Sequence, residues 1–417
     1  MRTKLLSGLL MAAIAAKLIS ATPSVASAER AGAGGPRLGA DSAILVDGRD
    51  GHVLYRRAAA ARRPIASTTK LMTALLSVER LPMKRKLRAA PYHAAAAESQ
   101  IGLAPGERMS VADLLRALML ESANDAAVTL ARGAGGSVDD FVPLMNRRAA
   151  QLGLAHTHYA NPVGLDEVGN YSSAGDLATL ARVVLRNAFL AETADMPRAR
   201  LLSGAHPRIV DNRNDLVGRV PWIDGVKTGH TNQAGYVLIG AGTRKGVQLV
   251  SVVLGTPSVS GRDADTLALL DYGFRQYRRV EPLRGSRSVA EAKVAFFGDR
   301  KVAVEPARTV AVSLRRGERV RTRIDAPGEL HGPLAAGARV GRASVYADGR
   351  RVRTVALVTA ESVPKAGVVR KVAHWLLWPW TLIVLAGLGL VGVARRRRRL
   401  AAADAARRRR RQAARLD

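Results

Sequence analysis

Ser67-Thr68-Thr69-Lys70 places a hydroxyl and an amine three residues apart in a segment with helical apolar spacing, Leu71, Met72, Leu75 and Leu76. Residues i and i+3 share a helix face, so the amine lies beside the hydroxyl and can take its proton. The first turn of a helix also offers free N–H groups to a developing oxyanion. The same spacing recurs at Ser362-Val363-Pro364-Lys365, where Pro364 argues against a helix and therefore against a shared face. Two further signals accompany the first. Ser122-Ala123-Asn124, the only Ser-x-Asn in the chain, follows an apolar helical run, and Lys227-Thr228-Gly229, the only Lys-Thr-Gly, opens a strand pattern. Each alone reads as an ordinary turn or cap. In this order they allow three separate elements to line one cleft with hydroxyls, an amide and two amines. Paired Asp139-Asp140 could do acid/base work, but their place before Phe141 reads as helix capping. No His/Asp/Glu cluster has metal-ligand spacing, there are no cysteines, and no cofactor is implied.

The elements that must position these residues are legible in outline. Ala43–Asp47 and His52–Tyr55 flank an Asp-Gly turn and read as a β-hairpin. A helix follows over Ser67–Glu79, and Ser110-Val111-Ala112-Asp113 opens another through Leu114, Leu115, Leu118 and Leu120. Ser172/Ser173 before Asp176 open a further one. From Val226 the pattern turns to strands, Tyr236–Ile239 and Gln248–Leu254, separated by a turn at Arg244-Lys245-Gly246 and followed by a helix over Asp263–Tyr277. This order predicts an α+β fold, an antiparallel sheet with a helical cluster. Beyond Pro282 only short alternating segments between Gly/Pro turns remain, which predicts a small all-β domain. The expected divisions are 1–28, 36–281, 286–364, 375–394 and 395–417.

The chain has 417 residues, enough for two or three domains, and 65 Lys+Arg against 34 Asp+Glu give it a net charge of +31. Aromatics are only 4% and do not alternate with basic blocks, so no base-stacking surface is expected and nucleic acid is excluded as a partner. Part of the charge belongs to the two ends of the chain. Met1–Lys4 is cationic, Leu5–Ala16 apolar, and Ala26-Ser27-Ala28 a small-residue cleavage pattern, so 1–28 reads as a secretory signal. Trp375–Ala394 carries no charge, starts among Trp375, Trp378 and Trp380, and runs into Arg395–Arg399. It is expected to be a transmembrane helix with a cytoplasmic polyarginine tail at 395–417, holding the catalytic domain outside the cell membrane as a single-pass protein. The basic face between the ends is expected either to hold the protein to anionic lipid and wall polymers or to be surface decoration.

The three signals resemble those of the penicillin-recognising serine enzymes, and the chain more closely resembles the serine-type D-alanyl-D-alanine carboxypeptidases, the low-molecular-mass penicillin-binding proteins. The likeness rests on Pro64–Thr73, Ser122–Ala127, Met145-Asn146, Asn161–Leu165 and Asp224–Thr231, covers roughly residues 40–285, and continues more weakly at Gly332-Pro333 and Tyr346–Arg350. Two features depart from the family pattern: Ala123 where Gly is common, and a spanning helix in place of a short amphipathic anchor. The resemblance implies a penicillin-binding, β-lactamase-like transpeptidase fold. It implies peptidoglycan stem peptides ending in D-Ala-D-Ala as substrate, and β-lactams as covalent inhibitors. Ser67 would be the nucleophile, Lys70 the base kept neutral by burial and by Lys227, and Ser122 a proton relay. Asn124 would bond Lys70 and the substrate amide. The N–H groups of Ser67 and His230 would form the oxyanion hole. Lys227 and Thr228 would take the substrate carboxylate, Gly229 would keep the strand edge clear, and Arg262 would be either a second carboxylate ligand or a surface residue. Two alternatives stay open. A class A β-lactamase would need a deacylating carboxylate, for which Glu167 is the nearest candidate, and a non-catalytic wall-binding or antibiotic-sensing receptor could use the same fold.

Overall fold

The computed structural model describes residues 35–376 and 379–413; the expected signal segment 1–28 lies outside them. The chain divides into two compact units. The first takes the chain up to Val46, Asp50–Gly240 and Val250–Leu269; the second takes Asp47–Arg49, Ala241–Leu249 and the chain from Leu270.

β1 (Ser42–Asp47) and β2 (Val53–Arg57) form the expected antiparallel hairpin, Leu45 opposite Tyr55. β1 is buried along its whole length while β2 is largely exposed. That contrast places β1 inside the sheet and β2 at its edge. A 3-10 turn, Ala66–Thr69, leads into α1 (Lys70–Arg80), whose residues from Lys70 to Ser77 are all buried. β3 (Lys86–Arg88) and β4 (Arg108–Ser110) make a small hairpin before α2 (Val111–Arg116). Ser110 caps α2 by accepting the Asp113 N–H at 3.2 Å. α2 loosens into a π-helical turn, Ala117–Glu121, and α3 (Asn124–Gly135) follows. α4 (Val138–Gln151) carries Asp139 and Asp140 in its first turn, with Ser137 as the cap, so the acid pair is helix-terminal. α5 (Ala174–Val184), capped by Ser173, and α6 (Ala188–Ala194) complete the helical cluster, and β5 (Arg198–Leu201) pairs with β6 (Arg208–Asp211). β7 (Ile223–Thr231), β8 (Gly235–Arg244) and β9 (Val247–Thr256) finish an open sheet ordered β2-β1-β9-β8-β7, and α7 (Val259–Phe274) follows. The Arg244-Lys245-Gly246 turn uses positive φ at Lys245 (50°) and Gly246 (74°), the twist a tight hairpin needs.

The second unit is built on strands: β10 (Tyr277–Leu283), β11 (Ala290–Val294), β12 (Lys301–Pro306), β13 (Val310–Arg315), β14 (Val320–Asp325), β15 (Glu329–Leu330), β16 (Arg339–Ala347) and β17 (Arg350–Thr359). β10 pairs with β13, and the other six form one sheet in the order β14-β16-β17-β12-β11-β15. Alternate residues of these strands, among them Val302, Val304, Val312, Leu314, Val345 and Leu357, bury one apolar face, as the period-2 pattern predicts. The α+β fold with an antiparallel sheet and a C-terminal all-β domain is therefore present.

The expected membrane span is not found among the described residues. The described parts of the apolar segment lie in α8 (Val368–Leu376) and α9 (Pro379–Ala413), with Leu377 and Trp378 outside the described residues. The apolar part of α9 before Arg395 is only about 24 Å long at 1.5 Å per residue, short of a hydrocarbon core of roughly 30 Å. The same helix then runs on through the arginines. Among the described residues no helix is long and apolar enough to cross a membrane. The expectations of a transmembrane helix at 375–394, of a cytoplasmic 395–417 tail and of a single-pass location in the cell membrane are corrected accordingly.

Candidate active site

The first unit brings the three sequence signals together. Ser67 sits in the 3-10 turn and Lys70 opens α1, so Lys70 Nζ lies 3.0 Å from Ser67 Oγ, as the shared helix face predicts. Lys70 is completely buried and its Nζ also donates to the Val163 carbonyl at 2.5 Å. That burial pushes the amine well below the ordinary lysine range. The Lys227 charge adds to the fall and Glu98 opposes it. The Ser362–Lys365 spacing forms no helix; Val363 bridges to Leu334 and Lys365 is exposed.

The Asn161–Leu165 run supplies the carbonyl that holds Lys70. Asn161 Oδ1 accepts the N–H groups of Val163 and Gly164 at 3.2 and 2.7 Å, and Thr73 Oγ1 donates to the Pro162 carbonyl at 2.7 Å. Gly164 (φ 89°) lies so close that a Cβ there would meet the Ala66 carbonyl oxygen at 2.0 Å. Ala66, just before the candidate nucleophile, holds φ at 45°, a strained value for a residue with a side chain. Glu167 is exposed and accepts a hydrogen bond from Asn161 Nδ2 at 2.8 Å, so it is engaged outside the Ser67–Lys70 pair.

Ser122 ends the π-helical turn in the left-handed conformation (φ 64°), and its buried Oγ has no hydrogen-bond partner among the described residues. A buried, unpartnered hydroxyl in a strained backbone is costly. Asn124 opens α3, and its Nδ2 donates to Glu98 Oε2 at 2.6 Å and to Tyr92 Oη at 3.2 Å; the expected hydrogen bond between Asn124 and Lys70 is not among those of the described residues.

Lys227 and Thr228 are buried on β7, an edge strand of the sheet. Burial brings Lys227 down to about 7; Arg213 and Arg262 push the same way and Glu121 opposes them. At Gly229 a Cβ would meet Ser67 N, Ala66 Cβ and Val237 Cγ2, each at 2.9 Å, so only glycine lets β7 approach the nucleophile turn. His230 is exposed, its ring stacked on Tyr236 with centroids 4.0 Å apart. Arg262 is buried in α7 and ion-paired with Asp263 at 2.8 Å, which removes the reading of it as a surface residue. Sequence reasoning assigned no role to Tyr92, Glu98, Glu121 and Arg213. Tyr92, Glu98 and Arg213 lie in loops with no periodic or motif signal, Glu121 ends the π-helical turn, and only the fold brings these groups to the site.

A family profile described as D-alanyl-D-alanine carboxypeptidase, peptidase S11, matches residues 28–258, and one described as the C-terminal domain of penicillin-binding protein 5 matches residues 277–365. The D-alanyl-D-alanine carboxypeptidase DacF of Bacillus subtilis (strain 168) is 31% identical over 79% of this chain and 87% of its own length. DacA of Escherichia coli (strain K12) is 31% identical over 82% of this chain and 88% of its own. Among solved structures, penicillin binding protein 5 from Haemophilus influenzae superposes with a TM-score of 0.55 at 28% identity, covering 79% of this chain and 99% of that one. The Streptomyces K15 DD-transpeptidase gives 0.56 at 30% identity, covering 58% of this chain and 99% of that one.

Proposed function

The chain belongs to the peptidase S11 family of D-alanyl-D-alanine carboxypeptidases, and from that premise we propose that its carboxypeptidase activity proceeds through an acyl-enzyme on Ser67. The observation that carries this reading is the 3.0 Å approach of Lys70 Nζ to Ser67 Oγ, with Lys70 buried and its charged form disfavoured.

Neutral Lys70 takes the Ser67 proton as Oγ attacks the carbonyl of the penultimate D-Ala. The Ser67 and His230 N–H groups receive the oxyanion. Ser122 passes a proton to the nitrogen of the departing D-Ala as the peptide bond breaks. Water then cleaves the ester and restores the Ser67 hydroxyl. Lys227, Thr228 and Arg262 hold the terminal carboxylate, and the edge of β7 pairs with the extended peptide. Asn124 offers its Oδ1 to the substrate amide. The substrate is a peptidoglycan stem peptide ending in D-Ala-D-Ala, and β-lactams acylate the same serine. The exposure of Glu167 and its bond to Asn161 disfavour a class A β-lactamase. The intact set of reacting groups disfavours a non-catalytic receptor. A net charge of +31 supports collective attraction to anionic wall polymers.

Labelling with a fluorescent penicillin tests the reading. Wild-type protein should form a stable adduct that Ser67→Ala does not form. An adduct of equal yield on Ser67→Ala would remove Ser67 from its role.

A further inference from the structure

The loop between β3 and β4 is fastened to the first half of α3 along much of its length. Ala90 N donates to Thr129 Oγ1 at 3.1 Å, Ile101 N and Leu103 N donate to the buried Asp125 carboxylate at 3.2 and 2.9 Å, and Asn124 N donates to the Ser99 carbonyl at 2.8 Å. These bonds fix the loop against the Ser-x-Asn segment and leave little freedom in where Glu98 stands. Glu98 itself is held twice more, by the Ala95 N–H at 3.0 Å on Oε1 and by the Tyr92 hydroxyl on Oε2. Asn124 then gives its NH2 group to Glu98 Oε2 and Tyr92 Oη.

A carboxamide has one donor end and one acceptor end. With the donor end committed to Glu98 and Tyr92, the acceptor Oδ1 is turned the other way with no protein partner among the described residues. A substrate N–H is the group that such an acceptor suits. Resting on the reading of the site given above, we infer that Glu98, with Tyr92, is a positioning residue of the carboxypeptidase: it fixes the orientation of the Asn124 carboxamide and sets one negative charge near Lys70.

Independent support comes from the charges. The charged groups acting on Lys70 are Lys227 and Glu98, of opposite effect, and those acting on Lys227 are Arg213, Glu121 and Arg262. Glu98 is the anion among those acting directly on the base. Burial pushes its carboxyl up, but the hydrogen bonds from Tyr92, Ala95 and Asn124 outweigh it and hold the carboxyl below the ordinary range, which favours the ionised form.

The test separates orientation from charge in the full-length protein, using the rate of acylation by a β-lactam and D-Ala release as functions of pH. Glu98→Gln keeps an acceptor for Asn124 but loses the charge. Its plateau kcat/KM should stay within about threefold of wild type, while its acid limb moves down by roughly half a unit or more, because Lys70 no longer faces an anion. Glu98→Ala loses both functions and should fall about tenfold on the plateau, the loss of one good hydrogen bond. Glutamine would thus rescue the plateau but not the limb. Wild-type limb and plateau in both variants would overturn the inference. Equal plateau loss in both without movement of the limb would overturn it too, since that is the signature of a merely structural role. Failure of the wild type to acylate would instead sink the Ser67 reading on which the inference rests.

Discussion

Two lysines within the candidate site carry opposite demands on the proton under the proposed mechanism. There Lys70 is neutral to take the Ser67 proton, while Lys227 is charged to hold a carboxylate. Burial lowers both, Lys70 strongly and Lys227 to about 7. The kcat/KM profile for D-Ala release should therefore be bell-shaped, rising as Lys70 deprotonates and falling above about pH 7 as free-enzyme Lys227 loses its charge. A bound carboxylate favours the charged form, so the alkaline limb of kcat should lie at higher pH than that of kcat/KM. Lys227→Arg, permanently charged, should remove the alkaline limb of kcat/KM; an unchanged limb in that variant would assign it to another group. Ser122 is the second residue-scale case. Its positive φ and its buried, unpartnered hydroxyl both cost stability. Ser122→Gly should raise stability by about 1 kcal/mol, read as a higher Tm, while D-Ala release falls by about a hundredfold or more. A variant both less stable and fully active would contradict the role given to Ser122.

At the scale of elements, the site depends on how closely three backbone segments meet. Gly164 and Gly229 allow the 161–165 run and β7 to close on the Ala66–Ser67 turn. Gly164→Ala would drive a methyl into the Ala66 carbonyl from a backbone with φ 89°. It should cost about 3 kcal/mol or more in urea unfolding and abolish penicillin labelling. Retained labelling at wild-type rate would show that the turn tolerates displacement. The three short signals and the elements bearing them were legible because helix-face spacing, capping serines and alternation are local properties. Ser110, Ser137 and Ser173 all cap helices through the residue three positions on. The π-helical turn ending at Ser122 was not legible, nor was the Glu98–Tyr92–Asn124 network. Both depend on contacts between segments distant in sequence, and the local pattern of 89–103 is that of an ordinary loop. The expected membrane helix is overturned at this scale too: counting apolar residues across 375–394 is a local measure, and among the described residues no helix is long and apolar enough to cross a membrane.

For the whole molecule, composition was informative about what to exclude and weak about what to include. The scarcity of aromatics removed a base-stacking role, but the +31 charge leaves wall-polymer attraction and simple decoration as rivals. Surface charges are screened within roughly 8 Å at physiological salt, so a collective attraction must be steeply salt-sensitive. Sedimentation of the full-length protein with purified cell wall should fall severalfold between about 50 and 300 mM salt, with turnover of a soluble pentapeptide nearly unchanged. Absence of sedimentation at low salt would leave the charge as decoration.

Acylation of Ser67 with Lys70 as its base is tested most directly by D-Ala release from a pentapeptide ending in D-Ala-D-Ala. The full-length wild type should release D-Ala catalytically, Ser67→Ala and Lys70→Ala should release none above background, and Lys365→Ala should match the wild type. Turnover persisting in Ser67→Ala, or a loss in Lys365→Ala equal to that in Lys70→Ala, would contradict it.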